Sequence, residues 1–517
     1  MCVSYRAAPG DPIDPDALTL HMSRQLYRTA RADADPYVSF VEARRLPSGW
    51  EVIVCDVEVE IGQRTIYDIR PHERVAALVP PDDDDIPRLV ALREDFPAVP
   101  HLFPAAYGMP AQLCLYEQPP SEVRLGWTPT GYLQHIRSWL ARTARGELHG
   151  DDQPLEPLLL APAPPLIVPH DLAPTDGDVP EHLIVHARDG GNERIVYVAE
   201  RPNNARWPAE RLACVAVVIG GAPQSHGVIR SVPTTLGELH RFLHVADVDL
   251  RTRLARVLTT WGHDRQKLGL RLMLIVILPK TRHAKSDVED EDMWAFVSSQ
   301  TIGEIGDALG LWQVRDGYAG FLLNPDMGRI GDDVPLGVLN PTRLLSRDRA
   351  AQLNGRPHRA ATRMVAIGLG ALGSQVFTNL ARAGYGEWTL IDDDQVLPHN
   401  LARHALDGWA LGAAKVTMLA ASANKTIAGP PIATPVVANI LTPGAQAETV
   451  AAALSATDVV IDMTAALAVA RRLARDVDSA ARRMSLFLNP AGDDLVLLAA
   501  CRRERRCGLH GWDTAVR

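Results

Sequence analysis

Between Gly368 and Lys415 the sequence gathers residue types suited to holding a polyphosphate and neutralising the charge that develops as it is cleaved. The stretch VAIGLGALGSQV, Val365 to Val376, spaces Gly368, Gly370 and Gly373 as G-x-G-x-x-G. Glycines let the chain turn tightly and bring backbone N–H groups against a phosphate, and the positive end of a following helix favours the anion there. Asp392 stands nineteen positions beyond Gly373, where a carboxylate can meet a ribose hydroxyl. Up to this point a nicotinamide dinucleotide and ATP are served equally. The continuation IDDDQVLPHNLARHALDGWALGAAKV then delivers Asp394, Asn400, Arg403 and Lys415. Hydride transfer has little use for that set. Binding a triphosphate and expelling pyrophosphate does, because Arg and Lys neutralise the leaving phosphates while carboxylates hold Mg²⁺.

Such residues need a strand, a turn and a helix to aim them. Met364 to Ile367 is β-prone, Leu372 to Ala383 is helix-like, and EWTLID forms a second strand ending at Asp392. A third strand is expected in DVVIDMTAALAVARRLA, with Asp462 at its end.

By its glycine loop, D-x-D, N-x-x-R and downstream lysine, this segment resembles the ThiF/MoeB/ubiquitin-activating superfamily. The resemblance implies a Rossmann-like, ThiF-type adenylation domain over residues 355–517 that uses ATP and Mg²⁺ and forms homodimers. It also implies that Asp392 binds the ribose, that Asn400 and Arg403 contact phosphates, and that Lys415 serves nucleotide binding and adenylation. The family's third strand continues into D-x-T-D-N, whose second Asp helps to bind magnesium. Here Ala465 and Ala466 follow the threonine, so Asp462 is the nearest carboxylate for the metal. No C-x-x-C pair occurs, which argues against the tetrathiolate zinc of many relatives.

A second constellation lies near the N-terminus. DFPAVPHLFPAAYGMPAQLCLYEQPPSEVRLGWTPTGYLQHIRSWLARTARGELH carries a proline-rich lead, Cys114 between leucines, Trp-Thr-Pro at Trp127 to Pro129, and an amphipathic helix. It resembles a ubiquitin-conjugating domain, an α+β fold expected over residues 1–150. That implies His101 in the turn, Cys114 as the acceptor of a modifier thioester, and a supporting helix begun at Trp127 to Pro129. A thiol suits the task, since sulfur is both a capable nucleophile and a good leaving group. The family's His-Pro-Asn turn is only partly present, because His101 is followed by Leu-Phe, and another oxyanion donor is required.

The whole chain of 517 residues predicts three to four domains. Its 46% hydrophobic and 22% charged residues suit a globular protein, and a net charge of −9 argues against nucleic acid as a principal ligand. No run of eighteen apolar residues and no signal-peptide core occur, so a cytoplasmic protein without membrane association is expected. Six scattered cysteines make no disulfide framework. Residues 151–181, rich in proline, read as an extended linker. Residues 182–347 read as a middle α/β domain, which the family resemblance allows to be an inactive adenylation domain. In it, HLIVHARDGGNERIVYVAE forms a hairpin, LACVAVVIGG and LRLMLIVIL are buried strands, and DMWAFVSSQTIGEIGDALGLW is a helix. VVIGGAPQSHGV echoes the glycine loop but lacks the D-x-D and N-x-x-R, and reads as an ordinary strand and turn.

Together the two resemblances identify a bacterial fusion of ubiquitin-conjugating and ubiquitin-activating enzymes, of the kind found in CBASS anti-phage operons. This implies adenylation of the C-terminal carboxylate of a ubiquitin-like modifier or cyclic-dinucleotide synthase (CD-NTase), thioester transfer to Cys114, and conjugation to an amine-bearing target. Relatives place an activating cysteine well after the adenylation core. Only Cys501 and Cys507 stand downstream, in a tail, CRRERRCGLHGWDTAVR, that departs from the relatives' continuation, so a truncated or frame-shifted chain is expected. Three alternatives remain: a ThiF-like adenylyltransferase acting on a small sulfur carrier, a nicotinamide-dependent oxidoreductase, and an inactive scaffold.

Overall fold

The computed structural model describes residues 3–31, 36–103, 105–106, 109–148, 155, 163–173, 181–191, 194–202, 212–225, 231–244, 246–282, 286–356, 361–475, 477 and 479–499. The chain divides into two compact units, Met1–Ile167 with Ala173–Thr342, and Val168–Leu172 with Arg343–Arg517.

The first unit opens with β1 (Asp11–Ile13), α1 (His21–Arg31), β2 (Val38–Arg45), β3 (Glu51–Glu58), β4 (His72–Val79), β5 (Arg88–Ala91), β6 (Leu102–Phe103), β7 (Ala105–Ala106), β8 (Ala111–Leu113), α2 (Pro120–Gly126) and α3 (Pro129–Arg145). All the strands but β7 form one antiparallel sheet in the order β1-β2-β3-β4-β5-β8-β6. Alternate residues of a strand face opposite sides. Ile53, Cys55 and Val57 on β3 with Val75, Ala77 and Val79 on β4 therefore meet Leu26 of α1 and Ile136 and Leu140 of α3, while Val52, Val54 and Ala76 form a smaller core behind. The helix α3 starts where the sequence signals it: Thr128 accepts the Gly131 N–H, Pro129 fits the first turn, and Gly146, at φ 72°, closes the end.

The same unit continues with β9 (Pro165–Val168), β10 (His182–Asp189), β11 (Ile195–Glu200), β12 (Leu212–Gly220), β13 (Gln224–Ser225), β14 (Ser231–Val232), α4 (Leu236–His244), α5 (Leu250–Trp261), α6 (Arg265–Leu268), β15 (Arg271–Thr281), β16 (Val288–Thr301), α7 (Ile302–Ala308), β17 (Trp312–Arg315), β18 (Tyr318–Phe321) and β19 (Leu336–Arg343). The order β12-β10-β11-β9-β19-β16-β15 returns to its start, because β12 also pairs with β15 in parallel. β10 and β11 form the expected hairpin, and β12 and β15 are the expected buried strands. Two expectations are corrected. The run Asp292 to Trp312 is strand as far as Thr301: Trp294 and Phe296 are fully buried and pair with Val276 and Leu274, a setting that rewards aromatic residues more than a helix does. The helix begins only where Thr301 and Glu304 cap each other. Residues Pro165–Val168, expected in an extended linker, are the strand β9 and pair with β11. β14 pairs with β7 and joins the two parts of the unit.

The second unit carries α8 (Arg347–Leu353), β20 (Arg363–Ile367), α9 (Ala371–Arg382), β21 (Glu387–Ile391), α10 (Lys415–Thr426), β22 (Ala433–Val436), α11 (Ala447–Ala456), β23 (Val459–Asp462), α12 (Leu467–Arg475), β24 (Arg482–Leu488) and β25 (Leu495–Ala499). The sheet order is β22-β21-β20-β23-β24-β25, parallel except for β25. α9 and α10 cover one face through Phe377, Val416 and Leu419, and α11 and α12 the other through Val450, Leu454 and Val469. This is a doubly wound α/β sheet whose strand order reverses between β20 and β23, the place where such sheets bind ligands. No helix among the described residues is long and apolar enough to cross a membrane.

Candidate active site

The in-register pairing of Ile367 with both Ile391 and Asp462 brings the ends of β20, β21 and β23 side by side. The glycine loop, Asp392 and Asp462 consequently share one edge of the sheet. Each glycine of the loop has its own reason. Gly368 sits at φ 82°, and a Cβ there would lie 2.8 Å from the Thr464 nitrogen. A Cβ on Gly373 would lie 2.0 Å from the Gly368 carbonyl oxygen, so α9 packs its first turn directly on the loop. At Gly370, the residue that starts α9, a Cβ would meet nothing within 4 Å, and no side chain caps the helix. The start of α9 thus has no capping side chain and open space at Gly370, the setting in which the first N–H groups of a helix can bind an anion.

Asp392 is tied to the loop: its Oδ2 accepts the Leu369 N–H at 2.6 Å and its Oδ1 the Asp394 N–H at 2.8 Å. Lys415, the first residue of α10, is buried to 6% side-chain exposure and donates to Asp394 Oδ2 at 2.7 Å, while Asp394 itself is 70% exposed. Asn400 Oδ1 accepts the Leu397 N–H at 2.8 Å, which turns the carboxamide NH₂ away from that turn. Arg403 is exposed, with no side-chain partner among the described residues. The structure thus gathers the glycines, Asp392, Asp394 and Lys415 through direct bonds, and holds Asn400 and Arg403 on the turn between them.

Asp462 is buried, and burial pushes its carboxyl up from the usual range. Its Oδ1 accepts both the Thr464 N–H at 3.0 Å and the Thr464 hydroxyl at 2.7 Å. This fixes the turn on which Gly368 packs, with Ala465 in the left-handed region at φ 56°. Among the described residues, Asp392, Asp393 and Asp394 each place a carboxylate oxygen within 4.8 Å of the others.

Two residues here had escaped the sequence reading. His404 is buried, its Nε2 lies 2.9 Å from the Leu369 carbonyl, and its Nδ1 accepts the Leu406 N–H at 3.1 Å. The second bond puts the hydrogen on Nε2, and burial lowers the pKa of the imidazole. Buried Ser374 accepts the Ala405 N–H at 3.1 Å and donates to Ala371. Both stitch the 400–406 segment to the glycine loop. The only hint in the sequence was the position of His404 beside Arg403.

In the first unit, Cys114 follows β8 and is half-buried. Its N–H donates to the His101 carbonyl at 2.9 Å, and His101 takes the left-handed conformation at φ 61°. A cleft of about 250 Å³ opens there, lined among others by His101, Cys114, Tyr116, Glu117, His135 and Arg142. Cys55 and Cys214 are buried, and burial pushes their thiols up to about 12 and about 11. Cys501 and Cys507 lie outside the described residues.

Two family models match the chain. One described as prokaryotic E2 family A covers residues 42–175, and one described as ThiF family covers residues 348–481. A curated relative, the Bos taurus adenylyltransferase and sulfurtransferase MOCS3, is 37% identical over 101 residues, which are 17% of this chain and 22% of its own. The chain therefore spans about a fifth of that relative. Among solved structures, E. coli MccB with succinimide is 18% identical over 32% of this chain and 49% of its own, with a TM-score of 0.24. PaaA is 19% identical over 27% and 41%, at 0.22, and TcdA (CsdL) 23% over 28% and 56%, at 0.22.

Proposed function

We propose, on the premise that residues 348–481 form a ThiF family domain and residues 42–175 a prokaryotic E2 family A domain, that the protein uses ATP to adenylate the C-terminal carboxylate of a protein modifier, holds the acyl group on Cys114 and delivers it to an amine. The observation that carries this reading is the uncapped start of α9 at Gly370, where a Cβ would meet nothing within 4 Å, together with the buried Lys415 and an exposed Arg403 that has no side-chain partner among the described residues. A carboxylate oxygen attacks the α-phosphorus, the bond to the β-phosphate breaks, and pyrophosphate leaves. Arg403, Asn400 and Lys415 are assigned to the charge on the leaving phosphates, and Asp392 to the ribose. Mg²⁺ is assigned to Asp462, the carboxylate nearest the family's magnesium position, and it would offset phosphate charge. An activating cysteine then takes the acyl group as AMP departs, and the Cys114 sulfur receives it by thioester exchange, which frees the first thiol. A ubiquitin-like protein or a CD-NTase is the modifier this chemistry suits, since each can end in a free carboxylate.

The identity to MOCS3, named as an adenylyltransferase and sulfurtransferase, favours one other reading: activation of a small sulfur-carrier protein, with the N-terminal domain recruiting partners. One experiment separates them. ATP–pyrophosphate exchange is measured with candidate modifiers from neighbouring genes for wild type, Arg403→Ala and Cys114→Ala. Exchange lost in Arg403→Ala and kept in Cys114→Ala, with a reducible adduct on Cys114, is the expected result. Exchange without any Cys114 adduct favours the sulfur carrier, and no exchange with any candidate counts against adenylation.

A further inference from the structure

Helix α3 reaches the backbone around Cys114 with two side chains one turn apart. Trp139 Nε1 donates to the Cys114 carbonyl at 3.0 Å, and His135 Nε2 lies 2.6 Å from the Leu115 carbonyl. Residues four apart share a helix face, so the pair acts as a two-pronged grip on the segment that carries the thiol. The two prongs differ in chemistry. An indole has one polar atom, and the bond to Cys114 uses it. An imidazole has two. A carbonyl can only accept, so the hydrogen of the neutral ring sits on Nε2 and the lone pair on Nδ1.

That second nitrogen has no hydrogen-bond partner among the described residues, and the ring lines the same cleft as Cys114. The ring is also fixed in orientation: it stacks on Tyr116 with centroids 4.6 Å apart and planes within 4°. A base held by a carbonyl on one nitrogen and by a stacked ring, without a partner on its other nitrogen among the described residues and lining the same cleft as the nucleophile, is suited to general-base catalysis. The other titratable or charged groups lining the cleft are His101, Tyr116, Glu117, Arg142 and Cys114 itself.

We infer that His135 is a catalytic base of the Cys114 site and takes the proton from the incoming amine as the thioester is cleaved. The inference rests on the proposed role of Cys114 as a thioester carrier. The amine nitrogen attacks the acyl carbon and gives its proton to Nδ1. The C–S bond then breaks, the amide is released, and the sulfur leaves as thiolate and recovers the proton from the imidazolium. No redox partner or further reactant is required.

The test uses the full chain and a small acyl donor, so it does not depend on the natural modifier. An N-acetyl-glycylglycine thioester of 2-mercaptoethanesulfonate is used to load Cys114, with Cys114→Ala as the blank, and discharge to free lysine is followed by mass spectrometry. His135→Gln keeps a donor for the Leu115 carbonyl and removes the base; His135→Ala leaves room for added imidazole. The expected result is a Cys114 thioester in both variants that discharges more slowly than wild type by about a hundred-fold, the usual scale for a lost base, with imidazole restoring His135→Ala. Equal discharge in wild type and His135→Gln overturns the role of His135 and leaves the carrier reading standing. Slow discharge in His135→Ala that imidazole does not restore also overturns it, in favour of a purely structural grip. Failure of wild-type Cys114 to load or discharge overturns the carrier reading itself.

Discussion

The two candidate sites are built in opposite ways. At the candidate nucleotide loop the chain does much of the work with its backbone: three parallel strands end together, the glycines clear space, and Asp392 and His404 bind N–H and C=O groups of the loop. At Cys114 the work falls to side chains from a helix that returns to the sheet, His135 and Trp139, which hold the carbonyls flanking the thiol. A backbone site depends on close packing and tolerates little change in shape. A side-chain site depends on which functional groups a helix face presents, and it tolerates more change in shape than in chemistry.

The largest contrast expected concerns the thiols of the first unit. Burial raises Cys55 to about 12 and Cys214 to about 11, which leaves well under a thousandth of either as thiolate near neutral pH. Cys114 lines an open cleft. Iodoacetamide at pH 7.5, read by peptide mass mapping of the native chain, should modify Cys114 at least about a hundred-fold faster than either. Comparable rates would mean that the sheets do not enclose Cys55 and Cys214 and that nothing sets Cys114 apart.

The next effect is in the nucleotide loop. Gly373→Val puts a branched side chain where a single Cβ already falls 2.0 Å from the Gly368 carbonyl oxygen. Overpacking against backbone that cannot move aside should cost about 3 kcal/mol, seen as an earlier thermal transition of the second unit. Gly370→Ala is the counterpart. Its Cβ meets no protein atom, so stability should change by about 0.5 kcal/mol at most, while ATP binding measured by calorimetry weakens at least about ten-fold if phosphates occupy that space. Undiminished ATP binding in Gly370→Ala would show that the phosphates lie elsewhere and would break the idea of a backbone-built site.

The same distinction explains what could be read without the structure. The candidate nucleotide site could be assembled from sequence because its residues fall in one stretch of chain whose spacing is dictated by a strand, a turn and a helix. Only the residues that stitch it together, Ser374 and His404, were missed, since a serine in a helix and a histidine in a loop carry no periodic signal. Cys114 was singled out by its neighbours, but His135 was not, because its bond to the Leu115 carbonyl depends on how α3 packs beside that segment, and no local pattern encodes that. Misreading Asp292 to Thr301 as part of the helix that begins at Ile302 has a similar cause: apolar residues crowd the run, and only pairing with β15 and β19 shows that they are packed as a strand.

The smallest effect tests whether His404 belongs to the backbone-built site. Burial lowers the pKa of its imidazole in the folded protein below the ordinary value near 6.5. The unfolded chain therefore binds a proton more readily than the folded one, and folding is favoured most above pH 6.5. As the pH falls through 6.5 towards the lower folded value, that contribution is lost, and protonation puts a hydrogen on Nδ1, where the Leu406 N–H now donates. The thermal transition of the second unit should fall over this window in wild type. In His404→Gln, which keeps a donor for the Leu369 carbonyl and cannot titrate, the curve should be flatter over the same window. Equal slopes in the two proteins would mean that His404 is not held as a neutral clamp on the loop, and Asp392 would be left as the side chain that fixes it.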